Sequence, residues 1–187
     1  MLMRTFLLLL SLCAATVVEA ADRPLMQKGS DIRFTYTQMK VPVQGHFTKF
    51  TGAQSLDAAK PERSSIRMQV DVASFSADPE VDVEAVKPEW FDAKKFPQAT
   101  FVSKSVKSMG GGRYEMTGTF TLKGISRDLV VPFELKEQAG GNADMTGQFV
   151  LRRGDFKIGE GEWSVFDVVA NEVKVDFHLL LGPVLKN

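Results

Sequence analysis

Cysteine is almost missing from this sequence. The one cysteine, Cys13, lies inside an apolar run near the N-terminus. Beyond that run the chain can form no disulfide, no thiolate nucleophile and no sulfur-ligated metal centre. Histidine is nearly as scarce. His46 and His178 are the only two, and both fall on the expected outer face of a strand. Nothing in the pattern sets a carboxylate or the other histidine beside either one, so no metal site is expected. Charge of one sign is missing too: 23 basic residues balance 23 acidic ones. That removes a global field for nucleic acid, and no nucleic-acid partner is expected. No Gly-x-Ser-x-Gly elbow occurs, and the glycine clusters do not precede a helix as a phosphate cradle would. The expectation is a protein that is not an enzyme.

Long apolar runs are missing as well. The longest, Phe6 to Val18, is too short to cross a bilayer. With Arg4 before it and Val18-Glu19-Ala20 after it, it reads as a signal peptide over residues 1–20, cleaved after Ala20. Leu12 is not the small residue that lipid attachment at Cys13 would need, so no lipid anchor is expected. The expected location is the periplasm. Residues 21–187 then form one domain.

What that domain has in abundance is alternation. Ile66-Arg67-Met68-Gln69-Val70-Asp71-Val72 and Val173-Lys174-Val175-Asp176-Phe177-His178-Leu179 place apolar and polar side chains in turn. A strand sends successive side chains to opposite faces, so each such strand has one apolar and one wet face. After a loose lead-in over 21–29, strands are expected over 30–38, 43–50, 64–73, 99–107, 113–122, 128–136, 143–152 and 172–180. The stretch 51–63 is read as a polar connection with room for a short pairing segment at 53–56, and Val41-Pro42 as the first interruption. Asp78-Pro79 reads as a helix cap followed by proline at the first helical position, opening a short helix over 79–86. Its acidic residues Asp78, Glu80, Asp82 and Glu84 are read as a solvated helix start rather than an acid–base set. The fold class is all-β: an eight-stranded antiparallel barrel with a short helical insertion after the third strand. A barrel of eight strands is filled by its own side chains or holds one small ligand, and the pattern leaves both open.

Three segments resemble the YceI-like family of exported, lipocalin-like barrels. Trp90-Phe91-Asp92 followed by Phe96-Pro97-Gln98-Ala99-Thr100-Phe101-Val102-Ser103 is similar to its aromatic-Asp, Phe-Pro and Thr-Phe-x-Ser signature. Tyr114 to Ser126 is similar to its Gly-x-Leu-type hairpin, and Arg153-Gly154-Asp155-Phe156-Lys157-Ile158-Gly159 to its Arg-x-Asp-Phe-Gly-Ile run. The chain departs from that family at Lys157, where many members carry glycine, and in the first strand, which lacks the usual histidine-containing start. The resemblance implies an internal pore that binds a long isoprenoid chain, such as a polyprenyl phosphate or a ubiquinone. No cofactor is required, and a bound isoprenoid lipid is expected.

The residues expected to line that pore are Phe34, Tyr36, Phe47, Phe101, Phe120, Phe133, Phe149 and Phe177, with Ile66, Met68, Val70 and Met116 on the same inward faces. Gly45, Gly118 and Gly147 are inward positions without a side chain and should leave room. Trp90 and Phe91, with Trp163, sit in irregular segments and read as a lid or as a cap on the core. Arg152, Arg153 and Lys157 form the one compact basic patch and are the candidate headgroup contacts. Rival readings are an eight-stranded outer-membrane barrel and a non-catalytic envelope stress or structural protein with a packed core. Charged outward residues such as Arg67, Asp71 and Lys174 count against the first, because charge facing lipid is costly. A membrane cytochrome or an envelope lipid enzyme would be a natural partner of a lipid carrier. The oligomeric state is open, a dimer included.

Overall fold

The computed structural model describes residues 21–57 and 60–185. The expected signal peptide, 1–20, lies outside the described residues. Ten strands and one α-helix follow in chain order. The strands are β1 (Ala21–Gln38), β2 (Val41–Phe47), β3 (Phe50–Leu56), β4 (Ser65–Asp71) and β5 (Phe75–Ser76). The helix α1 (Pro79–Ala85) comes next, then β6 (Gln98–Gly110), β7 (Arg113–Leu122), β8 (Ile125–Glu137), β9 (Ala143–Arg152) and β10 (Val169–Leu181).

The barrel closes through eight of these strands. Neighbours run β1-β3-β4-β6-β7-β8-β9-β10, and β10 pairs back onto β1, every pairing antiparallel. The short strands β2 and β5 extend the far half of β1 instead. A break at Thr48 and Lys49 separates β2 from β3. There the Thr48 and Lys49 backbone N–H groups donate to the Ser74 carbonyl and hydroxyl. The expected single strand over 43–50 is therefore two, and the stretch read as a polar connection contributes a ring strand.

The lead-in is not loose. Ala21 to Pro24 pair with β3, and Leu25 and Met26 with β10. The register then shifts before Asp31, around Gly29 at φ 99°. The first turn also differs from expectation. It lies at Met39 and Lys40, both with positive φ, while Val41 and Pro42 already pair in β2. Two central residues of positive φ match the right-handed twist of the flanking strands. The same geometry recurs at Lys123-Gly124 between β7 and β8.

The helix forms as its first residues dictate. The Asp78 carboxylate accepts from the Glu80 backbone N–H at 3.0 Å, and Pro79 occupies the first turn. One face of α1 carries Ala85, which is buried against the barrel end. The buried apolar residues divide into three packed groups. One surrounds Ile66, Met116, Val131, Met145 and Leu179. A second surrounds Val72, Leu122, Leu151, Phe156 and Ile158. The third is Phe34, Tyr36 and Val169.

Candidate functional site

Those inner faces do not meet in the middle. They enclose a cavity of about 440 Å³, a size suited to one small-molecule or lipid segment. Its far end is walled by Ile32, Ile66, Met116, Val131, Met145 and Leu179. The opposite end lies under α1 and is walled by Tyr36, Gln38, Glu80, Glu84, Trp90, Trp163 and Arg153.

Alternation places most of the expected residues on this wall. Phe34, Tyr36, Phe47, Ile66, Met68, Val70, Phe101, Met116, Phe120, Phe149 and Phe177 all line it, as do Trp90 and Phe91. Phe133 does not. Its ring stacks on Tyr114 at 5.2 Å between centroids and packs within the wall itself. The glycines act differently from expectation. The space over Gly45, Gly118 and Gly147 is filled by the rings of Phe34, Phe101 and Phe177, whose Cζ atoms lie 2.3 to 2.4 Å from where a Cβ would stand.

The basic patch comes apart. Arg152 and Arg153 are neighbours on a strand end and turn in opposite directions, Arg152 exposed and Arg153 only 4% exposed. Lys157 is exposed, with φ 54°. Only Arg153 reaches the cavity wall. Its Nε–H donates to the Ala170 carbonyl, one terminal nitrogen to Ile158 and Gly159, and the other to Trp163 and Val169. All five N–H groups of the guanidinium are thereby engaged. The group also lies over the rings of Trp90 and Phe166, at 5.6 and 4.8 Å. Burial pulls its pKa below the ordinary arginine value.

Arg153 thus gathers the irregular segment between β9 and β10 into a cap. Other contacts fix that cap to the turn after α1. The Glu89 carbonyl accepts from the N–H groups of both Gly159 and Glu160, and Trp163 packs on Trp90 at 5.6 Å. From the β7–β8 turn, the buried Lys123 ammonium donates to the Lys157 carbonyl and to Glu160 at 3.0 Å. That bond holds the Glu160 carboxyl below its ordinary range.

Two polar atoms at the helix end are buried without a hydrogen-bond partner: Tyr36 Oη and Trp90 Nε1. Burial, then the charges of Asp78 and Asp82, raise the Tyr36 pKa. Asp78 and Asp82 themselves accept from backbone N–H groups around the start of α1, as a capped helix start requires. His46 is exposed, as expected. His178 differs: its Nε2 lies 2.8 Å from Asp144 Oδ1, because the β9–β10 register sets Asp144 one step from it across the strands. This bond lowers the Asp144 pKa. Among the described residues no group of three or more His, Cys, Asp or Glu side chains is placed to hold a metal ion.

Sequence reasoning missed Phe75, Phe156 and Ile158 on the wall, and the anchoring roles of Arg153 and Lys123. Phe75 lies on the two-residue strand β5, and Phe156 and Ile158 in the irregular segment after β9, all too short to show a period. The Arg-Gly-Asp-Phe-Lys-Ile run was the available signal for Arg153, Phe156 and Ile158 together.

A closed lipocalin-like barrel around an apolar cavity, capped at one end by aromatic residues, defines the class. The chain belongs to the YceI-like family, whose YceI-like domain matches residues 25–181. It is 38% identical over 90 residues to a UPF0312 protein of Pseudomonas savastanoi pv. phaseolicola, covering 48% of this chain and 47% of that protein. The matched region thus spans about half the length of that curated relative. Among solved structures, BcnA of Burkholderia cenocepacia superposes with a TM-score of 0.80 at 37% identity, over 83% of this chain and 98% of that one. A polyisoprenoid binding domain from Saccharophagus degradans superposes at 0.69 and 14% identity, over 88% of this chain and 99% of that one, and shares the fold.

Proposed function

We propose that this protein is a periplasmic carrier that holds one long-chain isoprenoid lipid, of the polyprenyl phosphate or ubiquinone type, inside its barrel, with no catalytic step. The observation that carries the reading is the cavity itself, apolar along nearly all its wall and enclosed by a complete ring of strands. A polyprenyl tail is long and methyl-studded, and each buried CH₂-sized group contributes about 0.8 kcal/mol. Such a guest binds through shape and apolar contact and needs no convergent catalytic set. Kinship with the YceI-like family and the fold shared with a polyisoprenoid binding domain support the same choice. The exposed Arg67, Gln69 and Lys174 on the outer faces favour a barrel in water over one in lipid. Delivery to, or collection from, a membrane enzyme or cytochrome follows from the cargo.

The test is direct. The protein is purified from the periplasm without detergent, extracted with organic solvent and the extract read by mass spectrometry. A prenyl lipid in stoichiometric amount is the expected result. Lipid-free extracts, together with no uptake of any prenyl lipid offered in vitro, would sink the reading. Phe120→Asp puts a charge on the cavity wall and is expected to abolish retention.

A further inference from the structure

The cavity meets solvent at its helix end. Among the described residues, Glu80 on α1 is the one exposed member of the wall, and Gln38, Val81 and Trp163 at the same end are half-buried. The opposite end is shut: Ile66, Val131 and Met145 are each 1% exposed. A guest that enters or leaves the barrel passes this mouth.

One side of the mouth carries an apolar rim. Met39 and Val41 at the β1–β2 turn, and Val165, Phe166 and Val168 just before β10, are all exposed. The two strips are joined. The Met39 N–H donates to the Val168 carbonyl at 2.7 Å. Gln38, on the cavity wall, pairs in register with Val41 on one side and Val169 on the other. The remaining exposed large apolar side chains of the described residues are spread over β1, α1, β6, β8, β9 and the C-terminal end. An apolar patch gathered in one place marks an interaction surface.

The turn that leads the rim is built against its own stability. Met39 and Lys40 fill both central positions of a two-residue hairpin, at φ 48° and 67°. Asn-Gly is the pair that such a turn favours, because positive φ strains longer side chains. Met39 is there nonetheless, 72% exposed and outside all three packed groups. Strain kept at an exposed position points to a use beyond folding.

The occupant that fits this rim is a phospholipid bilayer. Met39 offers an unbranched apolar tip, and the exposed Lys40 beside it carries an ammonium on a long apolar stem. Such a stem lies along hydrocarbon while its charge stays at the level of the phosphates. Glu162 and Asp167 flank the second strip and are exposed, so insertion there stays shallow and reversible. The rim also borders the mouth of a cavity whose guest resides in membranes.

We propose that the rim of Met39, Val41, Val165, Phe166 and Val168 docks the barrel, mouth first, on a phospholipid bilayer, so that the guest passes between membrane and cavity without crossing water. This rests on the carrier reading and names the surface from which the carrier loads.

The experiment sediments purified protein with sucrose-loaded vesicles of phosphatidylcholine and phosphatidylethanolamine. Wild type is expected in the pellet at low and high salt alike, because apolar insertion is not screened. Trp90 and Trp163 both stand at the mouth, so brominated lipid in the vesicles should quench the protein's emission. Met39→Asn combined with Lys40→Gly gives the turn its favoured pair. That variant should melt at a higher temperature than wild type yet partition about tenfold more weakly, the scale of partly burying one methionine. Val165→Ser with Val168→Ser should weaken partition to a similar extent. A geranylgeranyl probe offered from cyclodextrin should bind wild type and variants equally, while its loading from vesicles slows in the variants. Wild type left in the supernatant, equal partition of wild type and variants, or binding that vanishes in high salt would overturn the docking surface. A dimer lost in the variants, with no vesicle binding, would assign the rim to a second copy of the chain and overturn it too. None of these outcomes touches the carrier reading, which falls if folded wild type takes up no prenyl probe from cyclodextrin.

Discussion

The ring of Phe177 lies on Gly147. The two are register partners on β10 and β9, and a Cβ at residue 147 would stand 2.3 Å from Phe177 Cζ. Phe34 on Gly45 is the same arrangement across β1 and β2, and Phe101 on Gly118 a diagonal version across β6 and β7. Each glycine lets a large ring lie along the wall instead of projecting into the barrel. The cavity stays open because its aromatics have somewhere flat to rest.

Gly147→Ala therefore forces the Phe177 ring inward. Overpacking of this kind costs about 1–3 kcal/mol and should lower both the denaturant midpoint and the amount of lipid retained. Adding Phe177→Leu should restore most of the stability. An alanine variant as stable as wild type and equally loaded would show that the wall gives way elsewhere.

Arg153→Lys should open the cap. Lysine keeps the charge but loses the planar fork that serves five carbonyls, leaving several buried acceptors unpaired. A loss of roughly 2–4 kcal/mol is expected. It should come with faster amide exchange across residues 158–170 and a red shift in the emission of Trp90 and Trp163. Unchanged exchange there would mean that the cap is held chiefly by Lys123 and the Glu89 carbonyl.

Glu160 supplies a pH dependence of known sign. Its bond to Lys123 holds the folded-state pKa below the ordinary glutamate value. A carboxyl shifted down binds fewer protons in the folded state, so its contribution is complete above the ordinary carboxylate range. It is lost as pH falls through the folded value. Glu160→Gln should be less stable than wild type at neutral pH, and the two should converge in acid. Urea titrations across that range provide the check, and a gap that widens toward acid would contradict the assignment.

Lys157 ends the 3-10 turn after β9 in the left-handed region, at φ 54° and ψ 35°. Glycine adopts this conformation without a steric penalty. The conformation costs a residue with a side chain about 1–2 kcal/mol, while glycine gives back about 0.4–1 kcal/mol through unfolded-state entropy. Lys157→Gly should raise stability by roughly 0.5 kcal/mol, visible as a small rise in Tm.

The ring strands with clean alternation were legible in the sequence, and β7 and β9 begin and end where the pattern puts them. So was α1, because Asp78-Pro79 carries its own start signal. The lead-in was not. Asp22, Arg23 and Pro24 show no strand period, and they become strand because β3 offers an open backbone edge to them, as β10 does to Leu25 and Met26. The turn at Met39-Lys40 escaped for a related reason, since neither residue is a usual occupant of positive φ. At the site, alternation found the wall but misplaced Phe133, whose inward direction ends against Tyr114 before it reaches the cavity. Arg152 and Arg153 read as a patch only while their opposite strand faces are ignored.

One further consequence comes from the seam. The barrel is closed by β1 and β10, nearly the whole described chain apart, and β1 also carries β2 and β3 on its other side. The two edges that would otherwise invite partners are hidden only when first and last strands find each other. Folding must therefore wait for the complete chain, with a late, long-range closing step that is slow by nature. Until then the growing sheet has sticky margins at both ends.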